Sequence, residues 1–216
     1  MLQFITKLYY KYIGRNTEYY DWFLINIVLH PQNVYESCKY QHSLTQQWNR
    51  RDHAITKIIT LFNIILSFIF SITFVSPIWI IPYILFDVII PMIIGIIIAI
   101  ILFYLCKSSF TTGDTFTVRY SYDIHINAYF CYLLVSHVFI FILSPLLFKP
   151  TLLATMFSNI ITCLSIIYYI YITYLGYSIL PFISIPKKVY IIPMLVVIVL
   201  FILFTFLNIN VSLLLL

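Results

Sequence analysis

The chain has 216 residues, of which 62% are hydrophobic and only 9% charged, with a formal net charge of +5. About a quarter of a soluble domain's residues are charged, so folding in water would leave large apolar surfaces uncovered, and the composition selects a multi-span membrane protein over a soluble domain. The basic residues flank apolar runs and form no continuous strip, which excludes nucleic acid as the main partner and fits orientation in a lipid bilayer.

Residues 1–54 are polar and aromatic and lack a secretory signal pattern. Leu2, Ile5, Leu8, Tyr9 and Tyr12 follow helical spacing, with Lys7 and Lys11 on another face. A second helix is predicted from Asn16 to His30, with Thr17 as a cap, Glu18 and Asp21 at its positive end, and Pro31 stopping it. Both helices are too short to span. They either lie on the membrane surface as interfacial amphipathic helices or pack on the protein's own spans.

Five apolar segments follow, near 56–76, 81–106, 128–148, 152–175 and 189–210. Each is long enough to cross a hydrocarbon core of about 30 Å as a helix. The predicted fold is therefore an all-α integral membrane protein, with a cytosolic region over 1–54 and a five-helix transmembrane domain over 55–216. Ser76-Pro77 and Pro82 mark a tight turn between the first two spans. Pro91 and Pro145, inside spans, should kink them.

An odd number of spans puts the termini on opposite sides. Eleven of the twelve Lys and Arg then fall on the N-terminal side, and only Lys149 on the other. Basic flanks stay in the cytosol, so the N-terminus should be cytosolic and the C-terminus lumenal, with 107–127 and 176–188 as cytosolic loops.

No phosphate-cradling loop, hydrolase elbow or zinc-protease motif occurs. The four cysteines, Cys38, Cys106, Cys131 and Cys163, show no ligand spacing. No catalytic residue, metal site or cofactor is expected. Cys106, beside Lys107 at a span end, is either an acylation position or an ordinary small apolar residue.

Ionisable residues inside spans are costly and raise a functional question. Asp87 lies about 9 Å into the second span and His137 about 14 Å into the third from the opposite side. Asn159 in the fourth span sits near the depth of Asp87. The three are expected to form a buried polar cluster, either a structural hydrogen-bonded link between helices or a proton relay or acid/base pair.

Asp123, His125 and Asn127 alternate just before the third apolar run. In a helix, Asp123 and Asn127 share a face and His125 points about 160° away. Asp123 is a candidate first-turn or capping residue. The stretch Tyr122-Asp123-Ile124-His125-Ile126-Asn127-Ala128-Tyr129 resembles a signature of the Unc-fifty (uncoordinated-fifty) family of Golgi membrane proteins, and His137 falls at that family's spacing after it. Tyr168 to Ser178, followed by Leu180-Pro181-Phe182, is similar to its second signature. Pro31-Gln32, Val34-Tyr35, Tyr40, Gln47-Trp48, Arg50 and Asp52 resemble its cytosolic segment, and Asp87 matches an Asp of its second span.

The resemblance implies a multi-pass Golgi protein with a cytosolic N-terminus and a role in vesicular transport. It further implies association with an Arf guanine-nucleotide exchange factor and surface delivery of membrane-protein cargo. Trp48, Arg50, Asp52, Asp123, His125, Asn127, Gly176, Tyr177 and Pro181 are the candidate docking face of such a non-enzymatic adaptor. The alternatives are a small intramembrane transporter or enzyme using Asp87 and His137, and a cargo receptor or assembly chaperone acting through its spans.

Overall fold

The computed structural model describes residues 17–45, 54–107, 117–180 and 187–214. The helix expected over residues 2–12 lies outside them. Among the described residues all regular structure is helical, and five helices are long and apolar enough to cross a membrane.

Two short helices come first, α1 (Thr17–Leu29) and α2 (Pro31–Thr45). Pro31 ends the first and also begins the second, because its missing N–H costs nothing in a first helical turn. α1 is apolar on two faces. Phe23 and Ile27 are fully buried in the main core with Ile126, Cys131 and Ile172 of the spans, while Trp22, Ile25 and Leu29 are exposed. The end of α1 is held by the spans themselves. Tyr168 Oη donates to the Val28 carbonyl at 2.6 Å and Cys131 Sγ to that of Ile27 at 3.6 Å, satisfying acceptors that a helix C-terminus leaves open. One of the two readings of the sequence, packing on the spans, is thus seen directly, and an apolar face remains on the outside.

The first span, α3 (Ala54–Phe74), turns into α4 (Ile80–Lys107) through extended Ser76 and a 3-10 turn at Pro77–Trp79. The third span, α5 (Val118–Leu147), begins ten residues earlier than its apolar run. Its N-cap is Thr117, whose hydroxyl accepts from the Tyr120 amide at 3.4 Å, so Asp123 is not the cap. The 118–127 stretch is therefore helix, about 15 Å of it, and not a cytosolic loop. Midway, α5 widens into a π-helical turn over Leu134–Phe139 that holds His137. α6 (Leu152–Ser178) and α7 (Lys188–Phe206) follow, then a short α8 (Val211–Leu214). α5 is the central helix and touches α1, α3, α4 and α6.

A proline inside a helix removes a donor from the carbonyl four residues earlier, and at Pro91 and Pro145 a polar side chain replaces it. Pro91 strands the Asp87 carbonyl, and Asn63 Nδ2 of α3 donates to it at 3.3 Å. Pro145 strands the Phe141 carbonyl, which accepts from Ser144 Oγ at 2.8 Å.

Candidate functional site

The polar core starts on α3. Asn63, Ser67 and Ser71 recur every fourth residue, which puts them on one helix face, and all three are fully buried. This face meets Asp87 of α4. Ser67 Oγ donates to Asp87 Oδ2 at 2.6 Å, and His137 Nε2 of α5 lies 3.5 Å from Asp87 Oδ1. The other ring nitrogen of His137 shares a hydrogen bond of 2.8 Å with Ser136 Oγ, which also donates to the Tyr132 carbonyl. Asp87 and His137 thus pair across α4 and α5, as their depths suggest. The Ser136–His137–Asp87 order resembles a hydrolase relay, but the Ser136 hydroxyl is buried and committed to a backbone acceptor, which leaves it poorly placed as a nucleophile.

From Asn63 the network continues toward the basic end of the bundle. Asn63 Nδ2 also donates to Tyr129 Oη at 3.1 Å. The Tyr129 ring stacks on His125, with centroids 5.9 Å apart, and His125 Nδ1 shares a 2.8 Å hydrogen bond with the Tyr169 hydroxyl of α6. A line of polar groups therefore ties α3, α4, α5 and α6 together inside an apolar bundle.

Five of the nine candidate docking residues are buried. Asp123, His125 and Asn127 are buried, at 8%, 4% and 3% exposure, and so is Tyr177. Gly176 does not end its helix, which runs on to Ser178. It is a close-approach point: its carbonyl accepts from Tyr120 Oη at 2.9 Å, and a Cβ there would meet two Ile124 carbons at 2.8 Å. These residues form the packing beneath a surface, not the surface. Trp48, Arg50, Asp52 and Pro181 lie outside the described residues. Cys106 is buried against Tyr120, Ile124 and Tyr177, so it is the small apolar core residue of the two alternatives.

Asn159 does not join Asp87. It faces the chain beyond α7, donating to Thr205 Oγ1 at 3.1 Å and the Ile209 carbonyl at 2.9 Å, and accepting from the Val211 amide at 3.1 Å. Asn208, at φ 55°, turns the chain back. Asn210 then donates to the Leu147 carbonyl and accepts from Ser158, which also bonds Ser212. This second polar knot anchors the C-terminal hook to α6. Asn159→Leu is expected to cost about 2 kcal/mol, since it strands a buried amide and a carbonyl. Hydrogen exchange over residues 207–214 should accelerate, while exchange around Asp87 stays as it was.

Sequence reasoning missed Asn63, Ser67 and Gly95, and gave Tyr129 and Tyr169 no role beyond their place in the two signatures. The signal for the first two was present in the four-residue spacing of Asn63, Ser67 and Ser71. Gly95 and Ala99, also four apart, are buried on a helix that is otherwise mostly outward-facing. That is the small-residue spacing by which helices approach closely in membranes. Among the described residues, no three His, Cys, Asp or Glu side chains gather as metal ligands.

Residues 6–216 match the UNC-50 family. The chain is 28% identical over 185 residues to the protein unc-50 homolog of Dictyostelium discoideum, covering 81% of this chain and 71% of that one. It is 26% identical over 192 residues to the human protein unc-50 homolog, with 81% and 73% covered. Against protein unc-50 of Caenorhabditis elegans it is 28% identical over 169 residues, with 76% and 56% covered. No solved structure matches the chain.

Proposed function

The chain belongs to the UNC-50 family, and from that membership we propose that it is a non-enzymatic multi-pass protein of the Golgi membrane. In this reading it supports vesicle-mediated transport by engaging an Arf guanine-nucleotide exchange factor at its cytosolic face, and so serves surface delivery of membrane-protein cargo. The observation that carries the orientation in this reading is the charge split: counted along the sequence through five apolar helices, eleven of the twelve basic residues fall on the N-terminal side. Such a split orients a bundle with that end in the cytosol, which supports a cytosolic N-terminus and a lumenal C-terminus.

Burial of the Asp123–Asn127 signature favours the exposed helix nearby as the docking surface in this reading. α2 buries Val34 and Tyr35 and exposes Gln32, Glu36, Lys39 and Tyr40. It leads directly into the segment bearing Trp48, Arg50 and Asp52. The buried signature residues set the packing of α5 on α4 and α6 below this surface.

The test is affinity purification from mild detergent. A Glu36→Lys/Lys39→Glu/Tyr40→Ala variant should lose exchange-factor recovery while its unfolding stays within about 0.5 kcal/mol of wild type, as surface changes usually do. Retention of the partner by this variant and by Trp48→Ala/Arg50→Ala would sink the docking reading. The Asp87–His137 pair keeps a second reading open, as a proton-handling transporter or enzyme. Loss of transport in Asp87→Asn at normal protein level and location, with the α2 variant active, would select it. Crosslinks from the spans to cargo transmembrane helices would instead select the cargo-receptor reading.

A further inference from the structure

Between α6 and α7 lies a cavity of about 620 Å³ that runs along α6 from Leu152 to Ile167. At 1.5 Å per residue this is a track of about 22 Å. Its walls are bulky and apolar, with Met156, Ile160 and Leu164 facing Ile198, Phe201 and Ile202. The polar groups Asn159 and Thr205 at its edge already bond each other. Ile160, Leu164, Ile198 and Ile202 are exposed on the outside of two membrane-crossing helices, so the cavity opens sideways onto hydrocarbon.

The lining selects the occupant. A partner helix packs in a bilayer where small residues let backbones approach. Along the cavity, the small residues Ala154, Ser158, Thr162 and Ser165 of α6 are buried within the protein, and Cys163 alone of its small residues lines the cavity. A slender, flexible acyl chain fits walls of branched side chains better than a second helix does. Lys149 is exposed, lies three residues before Leu152, the first residue of the lining, and is the one basic residue at that end of the bundle among the described residues. Its ammonium favours a phosphate, and the positive end of α6 adds to the attraction.

We propose that this cavity binds a phospholipid, one acyl chain lying between α6 and α7 and its phosphate held by Lys149. The full chain is placed in phosphatidylcholine nanodiscs with a trace of phosphatidic acid or diacylglycerol carrying the same diazirine-labelled chain. After illumination, phosphatidic acid should label residues 152–167 and 198–206 about fivefold more than diacylglycerol does, the contribution of one basic residue near an anionic head group. Lys149→Gln, a surface change that leaves folding intact, should abolish that difference. Ile160→Trp/Ile198→Trp fills the cavity and should cut labelling by a similar factor, whereas Leu85→Trp on the outer face of α4 should not. Equal labelling by the two lipids, labelling no stronger than that of α4, or labelling unchanged in the filled variant overturns the proposal. Chain-to-chain crosslinks through Ile160 or Ile198 would do the same, in favour of a second copy.

Discussion

His137→Ala is expected to destabilise the protein by about 3 kcal/mol, the lower end of the cost of removing one partner of an ionisable pair held within the bundle. The residual support explains the lower end. Asp87 keeps the Ser67 hydroxyl at 2.6 Å on its other oxygen, but loses the imidazole at 3.5 Å from the first. Asp87→Ala should cost less than His137→Ala, because His137 keeps Ser136 and no carboxylate is left behind. Replacing both, as Asp87→Leu/His137→Phe, should recover most of the loss, since an apolar pair avoids the desolvation that a polar one carries. Thermal unfolding in mild detergent across the four proteins checks this. Single variants within about 0.5 kcal/mol of wild type, ordinary for an uninvolved position, would show that the pair holds nothing. The double variant also separates structure from chemistry. A stable double variant that still supports transport makes the pair a helix tie, and a stable one that does not makes it a working site.

Gly95→Ala should cost about 3 kcal/mol, at the upper end for overpacking a well-filled core. A Cβ at this position would run into the His125 imidazole. The ring has little room to retreat, being held by Tyr169 at 2.8 Å and stacked on Tyr129. Compensation is specific: in Gly95→Ala/His125→Ala the clash disappears, and the two changes should be non-additive by more than about 1 kcal/mol. Gly176→Ala gives a parallel case against Ile124, relieved by Ile124→Ala. Additive losses in the first cycle would mean that Gly95 matters for some reason other than the approach of α4 to α5. The comparison also bears on the proposed docking surface. Both glycines seat signature residues, so either substitution should reduce partner recovery only as far as it reduces folded protein.

The depth calculation from the sequence succeeded for Asp87 with His137 and failed for Asn159. The residue counts put all three at similar heights, yet Asn159 points to the C-terminal hook, because height along a helix says nothing of the direction in which a side chain faces. The start of α5 was missed for a related reason. Its first ten residues are polar, so an apolarity criterion begins the span at residue 128, whereas the neighbouring helices bury Asp123, His125 and Asn127 and make a continuous helix favourable. The resemblance in the same residues identified the family correctly while suggesting a surface that the packing does not present.

What the sequence determined alone is what lipid demands of each segment separately: five runs long and apolar enough to cross, a proline turn between the first two, and basic residues gathered at one end. Hydropathy and charge are local sums, and a bilayer tests each helix by them before any two helices meet. What the tertiary structure decided is how each helix is rotated against its neighbours. That rotation is set by shape, by Gly95 admitting His125 and Gly176 admitting Ile124, and it chooses which polar groups find one another. Only it could join Asn63 and Ser67 to Asp87 and His137, and turn an apparent cytosolic signature into the buried seam between α4, α5 and α6.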